Sequence, residues 1–395
     1  MTVSETRADP GGPDSVSPLD RLVDRFDPEV FDVGRKQARI RLEGATPDPQ
    51  DVLIEHGRAR LEAASGEPDA ELIADARSWE ALANDLRDGM AAFRSGRLRV
   101  RRDLHLGVGF LAATASPTGP GRLRIRSVST SVGSISTLDA GSGDPVILIH
   151  GLGATKASFL PTVAALAPGH RTIAVDLPGF GDSDKPLRGS YDAPFFARAM
   201  IALLDELGLE RAHVIGNSMG GRVAIELGLR YPHRVGRLVL LAPSLAWLRS
   251  RPWAPYLRWV PTQLGALQPA PRPIVEAIVR WVIPGSDEEW TAAGIDEFLR
   301  SYLTPTGRAA FYAAARNIYL EEPHGPDGFW TRLPSLRVDS LFVWGRKDVI
   351  VPARFADHVR DALPRAEHLF LDCGHVPQLE RPRQTHDAIG RFLTK

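Results

Sequence analysis

The rhythm of hydrophobic and polar positions changes several times along this chain, and each change marks an element. Arg39-Ile40-Arg41-Leu42-Glu43 alternates with a period of two. So do Val52-Leu53-Ile54-Glu55 and Ala59-Arg60-Leu61-Glu62-Ala63, which flank His56-Gly57-Arg58, and the pattern predicts a hairpin. Ala70-Glu71-Leu72-Ile73-Ala74 predicts a further strand. The stretch from Ser78 to Phe93 switches to helical spacing, with Ser78 as its cap, and Leu98 to Leu104 returns to alternation. Leu106 to Ala113 is apolar throughout and reads as a helix or a strand. Strands with helices at their edges predict a small α+β unit over residues 28–115. Before it, residues 1–27 are dominated by Asp, Pro, Gly, Ser and Thr and read as a disordered leader. After it, Ser116-Pro117-Thr118-Gly119-Pro120-Gly121 reads as a linker.

Beyond the linker the apolar runs are short and continuous, as in strands buried on both faces. They fall near 122–126, 132–138, 146–150, 172–176, 212–216, 238–242, 340–344 and 367–371, with helices such as 194–207 and 218–231 between the later ones. This predicts a mostly parallel, eight-stranded α/β core over 122–245 and 336–395. The interval between Leu241 and Leu341 is far longer than an ordinary crossover, so 246–335 is expected to be a helical cap inserted over the sheet edge.

Chemistry concentrates at the carboxyl ends of these strands, where parallel sheets place their sites. Gly216-Asn217-Ser218-Met219-Gly220 lies between the strand Ala212-His213-Val214-Ile215 and a helix. A serine at such a turn is held strained and exposed, and the glycines let strand and helix approach. Ser218 is the candidate nucleophile. Its base and orienter are sought past later strands, and His375 and Asp348 stand there, giving the chain order Ser, Asp, His. Asp372 is a rival orienter only three residues from His375. His150 reads as a brace rather than a second base, Cys373 as a small buried filler, and Asp176, Asp182 and Asp184 as turn formers. A histidine base predicts that activity falls on acidification.

From about residue 120 onward the chain resembles an α/β-hydrolase. The carrying segments are the elbow, Val146-Ile147-Leu148-Ile149-His150-Gly151-Leu152-Gly153, Asp176-Leu177-Pro178-Gly179-Phe180-Gly181-Asp182-Ser183-Asp184, Trp344-Gly345-Arg346-Lys347-Asp348 and Cys373-Gly374-His375-Val376-Pro377. The resemblance implies an oxyanion hole formed by the amides of Leu152 and Met219. It also implies a carboxylic-ester hydrolase working through an acyl-enzyme, with no metal and no organic cofactor. Gly-Asn-Ser-Met-Gly-Gly resembles the carbon–carbon bond hydrolase branch, which is the alternative reading, and a non-enzymatic lipid carrier or receptor is a third. Cofactor-free haloperoxidase or perhydrolase activity is a further outlier. Residues 35–114 resemble the sterol-carrier-protein-2 type of lipid-binding domain, through the strand texture, Asp75 leading to Trp79, and the tail from Gly96 to Leu104. Arg102 stands where that family commonly has a glycine. This implies a lipid at the N-terminal domain and its delivery to the catalytic cleft, beside the alternative of a packing or dimerising domain.

Composition narrows the partners. The 395 residues carry 48 Lys+Arg against 48 Asp+Glu, a balance that argues against nucleic acid as a partner. One cysteine precludes an intramolecular disulfide, and neither a membrane-spanning run nor a signal peptide is evident, so a cytoplasmic location is expected. Six of the eight tryptophans, Trp247, Trp253, Trp259, Trp281, Trp290 and Trp330, fall in the cap with Tyr256, Tyr302, Phe311, Tyr312 and Tyr319. They predict an enclosed site for a hydrophobic small-molecule ester, lipid-like or aromatic. Arg249, Arg251 and Arg258 are read as solvated charges. The oligomeric state stays open.

Overall fold

The structure is a computed structural model that describes residues 16–31, 37–84, 92–93, 95–115, 122–246, 261, 264, 267, 271–282 and 288–395. The expected linker at 116–121, residues 1–15 of the leader, and Trp247, Trp253, Trp259, Tyr256, Arg249, Arg251 and Arg258 lie outside the described residues. So does the side chain of Trp290.

A helix stands within the stretch whose composition predicts a disordered leader. Ser17 caps a short helix, α1 (Pro18–Val23), by accepting from the Asp20 amide at 3.1 Å, with Pro18 fixing the first helical φ. Leu19, Leu22 and Val23 share one helical face and are buried. That face corrects the leader expectation for residues 18–23.

Five strands follow, β1 (Gln37–Glu43), β2 (Gln50–Glu55), β3 (Arg58–Ala63), β4 (Ala70–Ala74) and β5 (Leu98–Arg101), in the order β3-β2-β1-β4-β5. β1 and β4 are parallel and the other pairs antiparallel, so the sheet contains a crossover and is not a simple meander. Helix α2 (Ala76–Asn84) is capped by Asp75, which accepts from the Ser78 amide at 2.7 Å; Ser78, the expected cap, supplies the donor. The apolar run becomes helix α3 (Leu104–Ala113), capped by Asp103. Two glycines let α3 lie against the sheet, since a Cβ at Gly107 would stand 2.4 Å from Val100 and one at Gly109 2.3 Å from Phe31.

This unit is fused to the rest of the protein. Ile125 donates to Val30 at 2.9 Å, Asp27 donates to Ala113, and Arg122 pairs with Asp27 at 2.7 Å. Phe31 and Phe110 belong to the same continuous apolar core as Ile125, Val146 and Phe159.

The second sheet comprises β6 (Arg124–Thr130), β7 (Gly133–Ala140), β8 (Asp144–Ile149), β9 (His170–Val175), β10 (Ala212–Asn217), β11 (Val235–Leu241), β12 (Ser340–Gly345) and β13 (Glu367–Leu371). Its order is β13-β12-β11-β10-β8-β9-β7-β6, antiparallel only around β7. Both faces are covered. Val146, Leu148 and Leu341 enter one core while Ile147, Ile149 and Phe342 enter another. The helices are α4 (Leu160–Leu166), α5 (Ala193–Glu206) and α6 (Met219–Arg230), then α11 (Phe355–Ala362), α12 (Pro377–Glu380) and α13 (Pro382–Leu393). Between β11 and β12 stand the cap helices α7 (Arg272–Val282), α8 (Glu288–Tyr302), α9 (Pro305–Tyr319) and α10 (Phe329–Arg332).

One turn along α6 from Ser218, Arg222 is buried and ties that helix to the segment after α9. Its guanidinium bonds Glu226 at 2.8 Å and Glu321 at 2.6 Å and lies 4.9 Å from the Phe329 ring centroid. Glu226 also takes Arg230 and Arg332, and these hydrogen bonds and charges outweigh burial and hold its carboxyl at about 2. Because this pKa is depressed on folding, the stabilisation is complete above the ordinary carboxylate range and is lost as pH falls through about 2. Glu226→Gln should lower stability at neutral pH by about 3 kcal/mol. The variant should also lose part of the wild-type decline in stability below pH 4.5, as read by urea denaturation across a pH series.

Candidate active site

Strand β10 ends in a residue whose backbone is strained. Ser218 has φ 52° and ψ −117°, a left-handed φ that a non-glycine residue adopts at a cost of about 1–3 kcal/mol. The turn is crowded enough to demand its glycines. A Cβ at Gly216 would meet the Gly220 carbonyl at 2.2 Å, and one at Gly220 would meet that of Ile149 at 2.0 Å. The amide of Ser218 donates to Leu241, and Asn217 Nδ2 donates to the carbonyls of Leu241 at 3.0 Å and His375 at 3.2 Å. The elbow is thereby bonded directly to the loop that carries the histidine.

His375 Nδ1 donates to Asp348 Oδ2 at 2.8 Å, which leaves Nε2 as the free ring nitrogen. The other oxygen of Asp348 accepts from the amides of Ile350 at 2.8 Å and Val351 at 2.9 Å, so the carboxylate is held from both sides. Asp372 is exposed and pairs with Lys347 at 3.0 Å. Cys373 is buried, and burial pushes its thiol up to about 12, which makes it an inert filler.

The loop after β8 is braced by His150, whose Nδ1 donates to the Gly151 carbonyl at 2.7 Å and whose Nε2 accepts from the Leu177 amide at 3.0 Å. Burial lowers the pKa of this ring, so it stays neutral and can fill both roles. Gly153, at φ 76°, carries the rings of Phe298 and Phe311 where a Cβ would lie at 2.9–3.1 Å. Ser218, His375, Gly151 and Leu152 all line one cavity of about 490 Å³.

The cap supplies most of the cavity's remaining wall: Ile274, Val275 and Ile278 from α7, Thr291, Glu297, Phe298 and Tyr302 from α8, and Phe311 from α9. Phe298 stacks on Tyr302 at 4.9 Å, and both rings meet Phe311. Two of the cap tryptophans have described side chains, and neither lines the cavity. Trp281 is 59% exposed, and Trp330 packs against Phe355 while donating to the Ala246 carbonyl. The N-terminal unit also reaches the cavity, through Leu104.

Behind this wall the three parts of the molecule meet in a buried ionic junction. Lys156 Nζ lies 2.6 Å from Asp176 and 3.1 Å from Asp182. Arg300 of α8 takes Asp182 at 2.8 Å and Glu297 at 2.8 Å and approaches Asp103, the cap of α3, at 3.6 Å. Despite burial, the neighbouring cations hold Asp182 well below the usual carboxylate range, while burial pushes Glu297 up. His105 stands 3.0 Å from Asp182, yet burial lowers it to about 4, and it is neutral near pH 7. Asp176 and Asp182 thus do more than form turns. Asp184 also reaches beyond its own turn, its carboxylate accepting from the Ser134 amide of β7 at 2.8 Å.

The family model of the α/β hydrolase fold matches residues 144–282, and that of the SCP-2 sterol transfer family matches residues 24–111. Over 269 residues the chain is 32% identical to a 2-hydroxy-6-oxononadienedioate/2-hydroxy-6-oxononatrienedioate hydrolase of Paraburkholderia phymatum, covering 65% of this chain and 89% of that protein. The chain belongs to the α/β-hydrolase family. Among solved structures it is similar to a bacterial membrane phospholipase A, with TM-score 0.58, 27% identity and coverage of 69% of this chain and 86% of the other. It is also similar to a meta-cleavage product hydrolase of Pseudomonas fluorescens, with TM-score 0.56, 25% identity and coverage of 68% and 97%. Among the described residues no helix is long and apolar enough to cross a membrane.

Within this hydrolase the junction sets a pH response. The unfolded chain protonates His105 as pH falls below about 6.5, whereas the folded protein resists until about 4, so acidification through that window favours unfolding. The charges facing this ring are Asp103, Lys156, Asp182 and Arg300. His105→Asn should flatten the melting temperature between pH 6.5 and 4, whatever it costs at neutral pH. Lys156→Met, which strands Asp176, should cost about 3–5 kcal/mol in chemical denaturation.

Proposed function

We propose that this chain is a serine hydrolase that cleaves a carbon–carbon bond beside a ketone in a vinylogous diketone acid with an apolar tail. The observation that carries the hydrolytic part is the strained Ser218 sharing an apolar cavity with a histidine bonded to Asp348. The choice of bond is supported by the Paraburkholderia relative, whose name states such a substrate, and by the similarity to the meta-cleavage product hydrolase.

In this reading Ser218 Oγ gives its proton to His375 Nε2 and bonds to the ketone carbon, while the amides of Leu152 and Met219 receive the oxyanion. Collapse returns the carbonyl and breaks the carbon–carbon bond. The released electron pair moves into the conjugated carbonyl system as an enolate, and His375 protonates it. Water, deprotonated by the same histidine, then frees the acid from the acyl-enzyme. Asp348 keeps the imidazole in the productive tautomer throughout.

Ester hydrolysis by the same residues is the second reading, and a specific observation favours it. Among the described residues the cavity wall contains neither lysine nor arginine, so no cation there meets the carboxylate of a diketone acid, whereas a neutral ester needs none. Comparing kcat/KM for a 2-hydroxy-6-oxo-dienoate bearing an alkyl or phenyl tail with that for p-nitrophenyl esters of graded chain length decides between them. At least about a hundredfold preference for the diketone is expected, and the reverse ranking would establish the esterase. In either case Ser218→Ala should lose on the order of a thousandfold or more. Asp348→Asn should fall far below Asp372→Asn, which should stay near wild type.

Leu104 gives the N-terminal unit a part in this site that differs from delivery alone. Leu104→Trp, which narrows the cavity, should shift the preferred acyl chain shorter by several carbons while kcat on the acetyl ester changes by less than about threefold. An unchanged chain-length profile would remove Leu104 from substrate contact.

A further inference from the structure

A second cavity, of about 660 Å³, lies on the opposite side of the cap helices from the catalytic one. Its floor is the outward face of β4 and β5 in the N-terminal sheet, where Glu71 pairs with Arg101 and Ile73 with Arg99 in antiparallel register. Its roof is α7 and α8, which contribute Arg272, Arg280, Ala292 and Asp296. The alternation of β5 explains the floor, since Leu98 and Val100 turn into the core while Arg99 and Arg101 turn out.

Five arginines face two carboxylates across this cleft, Arg102 being the fifth, so the lining carries a net charge of +3. Three of the five are already engaged. Asp296 takes Arg101 at 2.8 Å and Arg272 at 2.7 Å, and Arg102 bonds Glu71 at 2.8 Å. Arg99 on the floor and Arg280 on the roof have no ion pair or hydrogen bond among the described residues. Two unneutralised guanidinium groups on opposing walls, with three more cations held nearby, suit an anion with several oxygens and more than one negative charge. A single carboxylate would leave one wall unmatched.

We propose that the cleft between the N-terminal sheet and the cap is a binding site for a phosphate group, presented by a small phosphorylated molecule or by a lipid headgroup, with Arg99 and Arg280 as its recognition residues. The site is separate from the catalytic cavity, but the two share a wall. On α7, Arg272 and Arg280 face the cleft, whereas Ile274, Val275 and Ile278 line the cavity around Ser218. On α8, Asp296 faces the cleft and Glu297 the cavity. A phosphate bridging floor and roof therefore fastens the wall of the catalytic cavity from behind.

The test uses the full chain. Thermal melting is followed during titration with sodium phosphate, with sodium chloride holding ionic strength constant so that general screening is removed. The wild type should show a saturable rise in melting temperature. Arg99→Ser and Arg280→Ser, each made separately, should weaken the response at least about tenfold, while Arg99→Lys should retain part of it. Both side chains are exposed, and far-UV circular dichroism without phosphate checks that each variant is folded. Flotation with phosphatidylcholine vesicles, with and without phosphatidylglycerol, distinguishes the sources. Capture by the anionic vesicles that either serine variant loses and free phosphate reverses identifies a headgroup. A phosphate response without capture identifies a soluble ligand. Equal behaviour of wild type and both serine variants, or no response to phosphate and no capture, would overturn the proposal.

Discussion

Asp176 is fully buried, and a carboxylate in that position is tolerated only when cations and amides surround it. Here Lys156 provides both, its amide donating to one oxygen at 2.7 Å and its ammonium meeting the other at 2.6 Å. From this pair the ionic contacts continue through Asp182 to Arg300, and from Arg300 to Glu297 and Asp103. The core, the cap and the N-terminal unit all end on this one charge lattice. The lattice is expensive to desolvate, so it adds less to net stability than its number of contacts suggests. What it supplies is geometry: it fixes α8, and with it Phe298 and Tyr302, above the loop that holds Leu152.

The grouping of Ser218, His375 and Asp348 was readable from sequence because each of its parts is local. An elbow is specified by five consecutive residues, and the acid and the histidine each sit just past a short apolar run, where the chain must leave the sheet. Strand pairing then sets β10, β11, β12 and β13 side by side without any further signal. Asp182 and Arg300 are 118 residues apart, and neither stands out among the charged residues around it. Arg101 and Asp296 are separated by 195. A pattern of period two or 3.6 carries no information about partners at such distances. In the cap, Tyr302 and Phe311 were legible as wall residues from composition alone. Tryptophan density drew attention, whereas the ring stacked over the site is Phe298, which composition did not single out.

Arg102 illustrates what a family departure means physically. The sterol-carrier type of tail commonly has glycine at this point, and Arg102 adopts φ 68°, the left-handed conformation glycine takes freely. The backbone demand has been kept while the residue has changed. In exchange the side chain reaches Glu71 and Glu67, and the amide donates to Asp296 at 3.2 Å. A cleft-facing cation has been placed at a turn that ordinarily has no side chain at all.

Among its described residues, the cap has little interior separate from the main core. Its separate buried cluster is Val275, Ile295 and Leu299 with Phe298 against them, while Ile274 and Ile278 remain more than half exposed. On α7 the apolar stripe faces the cavity around Ser218 rather than packed protein. A bound substrate therefore does the work of core residues, and the apolar surface it covers is surface the cap needs for its own cohesion. Occupation of this cavity is in that sense the last step of folding: an apolar group long enough to reach α7 consolidates the helices above it, and a short one leaves them loosely packed over Ser218 and His375.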